Sequence, residues 1–212
     1  MSRVARRPRP VEPDGSVLRW PGARAKFALL GEVLWTGVLM AIACVPIVTW
    51  PAAVAAGAAH LRRYLRAEAT PAAGFFRDVG KALPGGVVVG AASMLLGALV
   101  VADVALALGG AIPGGAPVAI VAVLLGAAAL TITVTAASTW SAGERWRELL
   151  RRAPRILAAD PSGAVFVVVA LGLAGVITWQ FLPLGIPTLG LVAFALVAIS
   201  ERRLARCSAE PH

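Results

Sequence analysis

The stretch VVVGAASMLLGALVVADVALAL, residues 87–108, holds a single ionisable side chain, Asp103, and does not alternate apolar with polar positions. A helix of that length rises about 33 Å at 1.5 Å per residue, enough to cross a hydrocarbon layer about 30 Å thick. A strand in lipid has to belong to a closed barrel and alternate its faces, which this run does not do. The fold is therefore expected to be all-α and embedded in a bilayer. Five further apolar runs accompany it, at 27–45, 47–61, 118–140, 164–182 and 188–199, the second and last of them short. Composition points the same way: of 212 residues, 58% are hydrophobic and 15% charged, with a mean hydropathy of +0.80. Soluble domains carry far more charge.

The charge that remains is placed asymmetrically. All 20 lysines and arginines fall in four segments, 3–26, 62–81, 145–155 and 202–206. Counting each apolar run as a span puts all four on one face and leaves three charge-free turns, 45–51, 109–117 and 181–187, on the other. Basic residues stay with the cytoplasmic, anionic leaflet. The expectation is a polytopic bundle of six spans arranged as three hairpins in a bacterial inner (cell) membrane, with both termini cytoplasmic. In a five-span alternative, the alanine-rich run 51–61 dips in and returns. The same placement explains the net charge of +9 without nucleic acid as a partner. Residues 1–26 are expected to be a disordered basic cytoplasmic tail rather than a signal peptide, 27–204 the membrane domain, and 205–212 a short cytoplasmic tail.

Each outer turn carries two prolines, Pro46 and Pro51, Pro113 and Pro117, Pro183 and Pro187, suited to ending one helix and starting the next. Trp20, Trp50, Trp140, Trp146 and Trp179 fall near predicted interfaces, where an amphipathic ring prefers to sit. On residues 86–97, Gly86, Gly90, Ser93 and Gly97 form a small-residue stripe. Ala127, Thr131, Thr135 and Ser138 form another, expected to meet the first at close range, the alternative being that the glycines serve contact between copies in an oligomer.

Two cytoplasmic connectors read as amphipathic helices. In ERWRELLRRAPRILAAD, residues 144–160, Trp146, Leu149 and Leu150 share a face opposite the arginines, with Pro154 as a kink site. In GFFRDVGKAL, residues 74–83, Phe75 and Phe76 oppose Arg77 and Lys81. These five apolar residues form a candidate docking face for a partner's cytoplasmic domain, or else the face on which the helices lie against headgroups.

Chemistry is sparse. Glu32, His60 and Asp103 are the clearly ionisable groups within or at the edges of the apolar runs, and each needs a partner, water or a proton there. Folding the first hairpin about Val48 sets Glu32 near His60 and Arg63. A Glu32 pair with either is expected, acting as a register-fixing ion pair or as part of a proton or cation relay. Asp103 is expected to meet Gln180, Thr178 or Thr49 near the outer turns, or to stay protonated. Cys44 and Cys207 lie toward opposite sides of the membrane, too far apart for a disulfide. No catalytic or metal-ligand motif occurs, and GGVVVG at 85–90 lies inside a span rather than between a strand and a helix. An enzyme is not expected, nor a cofactor or metal.

The segment VPIVTWPAAVAAGAAHLRRYLR, residues 45–66, followed by GFFRDVGKAL, resembles the YesL-type family of bacterial membrane proteins. The resemblance rests on Pro46, Ile47, Val48, Thr49, Ala52, Ala53, Tyr64, Phe75, Phe76 and Arg77, with RRAPRILAADPSG (151–163) similar to the family's second half. Pro51 and Gly74 depart from it, standing where a glycine and an aspartate are usual. The resemblance implies a non-catalytic multi-pass protein, an accessory or regulatory partner of a carbohydrate ABC transporter permease. The alternative is a small transporter or channel in its own right. No site residue is implied.

Overall fold

A computed structural model describes residues 21–109 and 115–209. Among them every regular element is helical: α1 Pro21–Ala43, α2 Trp50–Leu65, α3 Ala72–Leu108, α4 Gly115–Ser138, α5 Trp146–Ala159, α6 Pro161–Gln180 and α7 Gly185–Ala209. Single 3-10 turns, Ile47–Thr49 and Leu182–Leu184, lead into α2 and α7. Four helical stretches are long and apolar enough to cross a membrane: Ala72–Leu108, Gly115–Ser138, Pro161–Gln180 and Leu182–Arg203. Phe27–Ala43 is apolar but shorter. The protein is thus a helical membrane protein in contact with the lipid bilayer.

α2 sits at the centre. It packs against α1, α3, α4 and α7, and every residue from Pro51 to Ala58, with His60 and Leu61, is buried. Its sequence explains the position, because a helix sheathed in alanine lets four neighbours approach closely. Pro51 stands in its first turn, where the missing N–H is no loss. Thr49, just before it, donates its hydroxyl to Pro46 O at 2.7 Å and to Ala43 O. The far end closes on Ala67, whose φ is +57°. Ala67 N donates to Tyr64 O (2.9 Å) and Glu68 N to Arg63 O (3.0 Å), a Schellman stop with alanine where glycine is usual.

α1 crosses α7 through Gly37 and Gly190. A Cβ at Gly190 would collide with Val33 O, and one at Gly37 would stand 2.5 Å from Ile186 O, so only glycine allows the two backbones to touch. Among the described residues, α1 and α7 thereby enclose α2 from one side. α3 and α4 pack on one another, and their outer parts have few other neighbours. Between 87 and 108 on α3, only Gly90 and Ala107 are buried. The inner half of α4, from Thr131 to Ser138, is instead largely buried.

Several expectations need correction. Residues 74–83 are not a separate helix at the surface. They are the first turns of α3, which runs unbroken through Pro84 for 37 residues, about 55 Å. The small-residue stripe on α3 is divided between neighbours: a Cβ at Gly90 would strike Val48 O and one at Gly86 would meet Ala52 Cβ at 3.0 Å, both before or within α2. Ser93 and Gly97 do face α4, across a cavity of about 390 Å³ also lined by Gly126 and Ala127. Helix α1 starts at Pro21, inside the stretch expected to be a disordered tail, and α7 continues to Ala209, inside the expected C-terminal tail. Most of the 1–26 tail and the centre of the 109–117 turn lie outside the described residues.

Candidate functional site

The polar groups gather at the end of the bundle where α2 ends. Small apolar side chains fill the middle of α2, and its last two turns bring His60, Arg62, Arg63 and Arg66 to that end. His60 is fully buried, and its Nε2 lies 2.8 Å from Glu32 Oε1 on α1. Thr70 in the α2–α3 connection donates to the same oxygen at 3.3 Å. The other ring nitrogen, His60 Nδ1, is buried without a hydrogen-bond partner among the described residues. Phe75 stands edge-on to the imidazole, with ring centroids 6.1 Å apart. Beside this cluster, Ala28, Tyr64, Glu68 and Thr70 border an open cavity of about 620 Å³.

Of the two partners expected for Glu32, then, the histidine is the one in contact. Arg63 turns to α3 instead and donates to Asp78 Oδ2 at 2.6 Å, so the α2–α3 junction has an ion pair of its own. Arg62 bridges to α4: its guanidinium donates to Ser138 O and, at 2.7 Å, to Trp140 O. Those carbonyls lie at the end of α4, where helix carbonyls lack partners and carry partial negative charge. Neither the Arg63–Asp78 nor the Arg62–Ser138 contact follows from hydropathy or helical period. Asp78 and Ser138 belong to helices whose relation to α2 only the tertiary fold sets.

Asp103 and Gln180 are not brought together. Both are exposed, on α3 and α6, and neither makes a hydrogen bond with the other among the described residues. Thr49 spends its hydroxyl on its own turn. The expectation failed because α3 pairs with α4 and α2, while α6 lies against α7.

The expected docking face is also largely taken up by the protein itself. Phe75, Trp146 and Leu149 are buried, at 0%, 6% and 3% exposure. Leu150 is half-buried, and Phe76 is exposed. Trp146 lies over Gly85 and Gly86 of α3, and its Nε1 donates to Ala82 O at 2.9 Å. This gives the GG pair a structural use, as the floor on which the indole rests. Amphipathicity correctly marks a face that is covered, but the cover comes from α3, α4 and α6.

A second polar group joins α6 to α7. Asp160 caps α6, accepting from Gly163 N at 3.0 Å and from Ser162 Oγ at 2.8 Å, and Arg203 Nε of α7 donates to its other oxygen at 2.9 Å. The backbone N–H of Gly163, then Arg203 and Ser162, hold the Asp160 carboxyl well below the usual carboxylate range. Arg202 places its guanidinium 5.6 Å from the Phe166 ring. No group of His, Cys, Asp and Glu side chains suited to a metal ion occurs among the described residues.

Compared with protein-family models, with curated proteins and with solved structures, the chain matches none.

Proposed function

We propose that the chain is a non-catalytic, multi-pass protein of the bacterial cell membrane that serves as an accessory or regulatory partner of a carbohydrate ABC transporter permease. In this reading all six apolar segments cross the membrane as three hairpins, with both termini cytoplasmic. The short α2 crosses because other helices, rather than lipid, surround it. The observation that carries the non-transporting part of the reading is the filled axis. From Pro51 to Ala58, α2 is buried on all sides, whereas a solute path calls for broken helices around a midplane site. The YesL-type resemblance supports the choice of partner.

The test is affinity purification of the tagged protein from native membranes, paired with flux assays on the pure protein in liposomes. A sugar permease should copurify, and solute or ion flux should be absent. Phe76→Glu is the informative surface variant, because Phe76 is exposed while Leu149 is core. Loss of the permease from Phe76→Glu preparations that still purify as folded protein would support direct contact.

One observation favours the alternative of a small transporter or channel. His60, with Nδ1 unpartnered, lies against Glu32 and Thr70 beside an open cavity, which is an arrangement able to pass a proton. A proton flux in liposomes that disappears in His60→Gln would establish that reading and displace the accessory role.

A further inference from the structure

At the same end of the bundle lies a second cavity, of about 360 Å³, bordered by α2, α4, α5 and α7. Three arginines line it: Arg62 and Arg66 from α2 and Arg203 from α7. They are unequally employed. Arg62 spends donors on two neutral carbonyls and makes no salt bridge among the described residues, although the charges of Glu201 and Glu144 reach it. Arg203 is paired through Nε with Asp160, yet its Nη2 is buried with no hydrogen-bond partner among the described residues. Arg66 is exposed and makes no side-chain hydrogen bond among the described residues. Glu201 is the one acidic residue on the wall. Glu144 stands beside the wall as well, accepting from Ser141 N and facing Arg152 at 3.7 Å, so that Glu201, Asp160 and Glu144 set against Arg62, Arg66, Arg203 and Arg152 leave one positive charge in excess.

A buried guanidinium nitrogen without an acceptor is costly, and like charges held together repel. A single anion with several acceptor oxygens relieves both. We infer that this cavity binds a phosphate group. Phosphate matches the guanidinium fork, which presents paired N–H donors. Ser141, on the cavity wall, can add a neutral hydroxyl donor. The volume falls in the range of small-molecule sites and leaves room for the group that carries the phosphate. Two sources share this chemistry: the headgroup of an anionic phospholipid, for which basic pockets between helices at the cytoplasmic face are suited, and a soluble phosphate. The inference does not depend on the accessory role proposed above.

The full-length protein in phosphatidylcholine nanodiscs is titrated with phosphatidylglycerol, and bound lipid is counted by native mass spectrometry. In parallel, the detergent-solubilised, delipidated protein is titrated with inorganic phosphate, and tryptophan emission is followed, since Trp140 adjoins Arg62 through its carbonyl. Saturable binding of phosphatidylglycerol alone identifies a lipid site, and saturable binding in the phosphate arm identifies a soluble ligand. Either supports the proposal, provided that Arg66→Gln and Arg203→Gln each weaken binding about tenfold, as expected for loss of a hydrogen bond to a charged group. Arg66→Gln guards against misfolding as an explanation, because that side chain is exposed and makes no side-chain hydrogen bond or salt bridge among the described residues. Absence of saturable binding in both arms, or binding that is unchanged in both variants, overturns the proposal.

Discussion

Two residues, Ala67 and Asp160, show how local chemistry sets testable stability. Ala67 occupies the left-handed region, where a Cβ crowds the following carbonyl and glycine does not. It is exposed, so Ala67→Gly removes no packing. The variant should be more stable by roughly 1 kcal/mol, measured by thermal or denaturant unfolding in a fixed detergent, and an unchanged or lower midpoint would refute the assignment. Asp160 supplies a pH signature. Its folded pKa is depressed by Gly163 N–H, Arg203 and Ser162, so its contribution is complete above the ordinary aspartate pKa of about 3.9. That contribution is lost as pH falls below this value toward the lower folded one. Asn keeps a good helix cap but cannot titrate. Asp160→Asn should therefore flatten the acid limb of the stability profile, and an acid limb identical to the parent's would remove Asp160 from the account. At this scale the sequence was partly legible. The proximity of Glu32 and His60 follows from folding one hairpin about its turn, because the two residues are close along the chain relative to that turn. Arg62 with Ser138 was not, since nothing in helical period relates α2 to α4, which are not consecutive; Arg203 with Asp160 closes the consecutive α6–α7 pair, but helical period alone does not single it out.

Helices as units carry the next set of consequences. The α1–α7 crossing depends on backbones meeting at Gly37 and Gly190, whereas Gly97 on α3 has open space where a Cβ would lie. Gly190→Ala should destabilise the fold by roughly 1–3 kcal/mol, the usual cost of overpacking, while Gly97→Ala should be neutral or slightly stabilising through helix propensity. Melting temperatures of the pair in one detergent decide this; equal shifts would mean that the crossing is not the constraint described. The existence of most helices was readable from apolar run length, and α5 from its period. The length of α3 was not. Lys81 and Pro84 look like a boundary between a connector and a span, yet the helix continues through both, because Trp146 and α2 pack along its inner turns. The fate of the amphipathic faces was likewise hidden, since a stripe of apolar residues states that something covers it and not what.

For the molecule as a whole, the four basic clusters make orientation the decisive measurement. With Cys44 and Cys207 replaced by serine, Ala67→Cys and Gly143→Cys, both exposed, should react with a membrane-impermeant thiol reagent only after cell lysis. Ile47→Cys, exposed in the turn before α2, should react in intact cells. Labelling of Ala67→Cys from outside would overturn the proposed six-span arrangement. The enclosure of α2 also bears on how the protein is made. A short helix ending in His60, Arg62 and Arg63 is poorly suited to lipid on its own. One of its walls is α7, which follows α1 to α6 along the chain and so leaves the ribosome after them. Until then the nascent α1–α2 pair remains an unfinished client, to be held by the insertion machinery or shielded by a chaperone. A chain terminated ahead of α7 would leave α2 without that wall, and it is expected to be cleared faster by membrane proteases than the full chain, as pulse-chase would show.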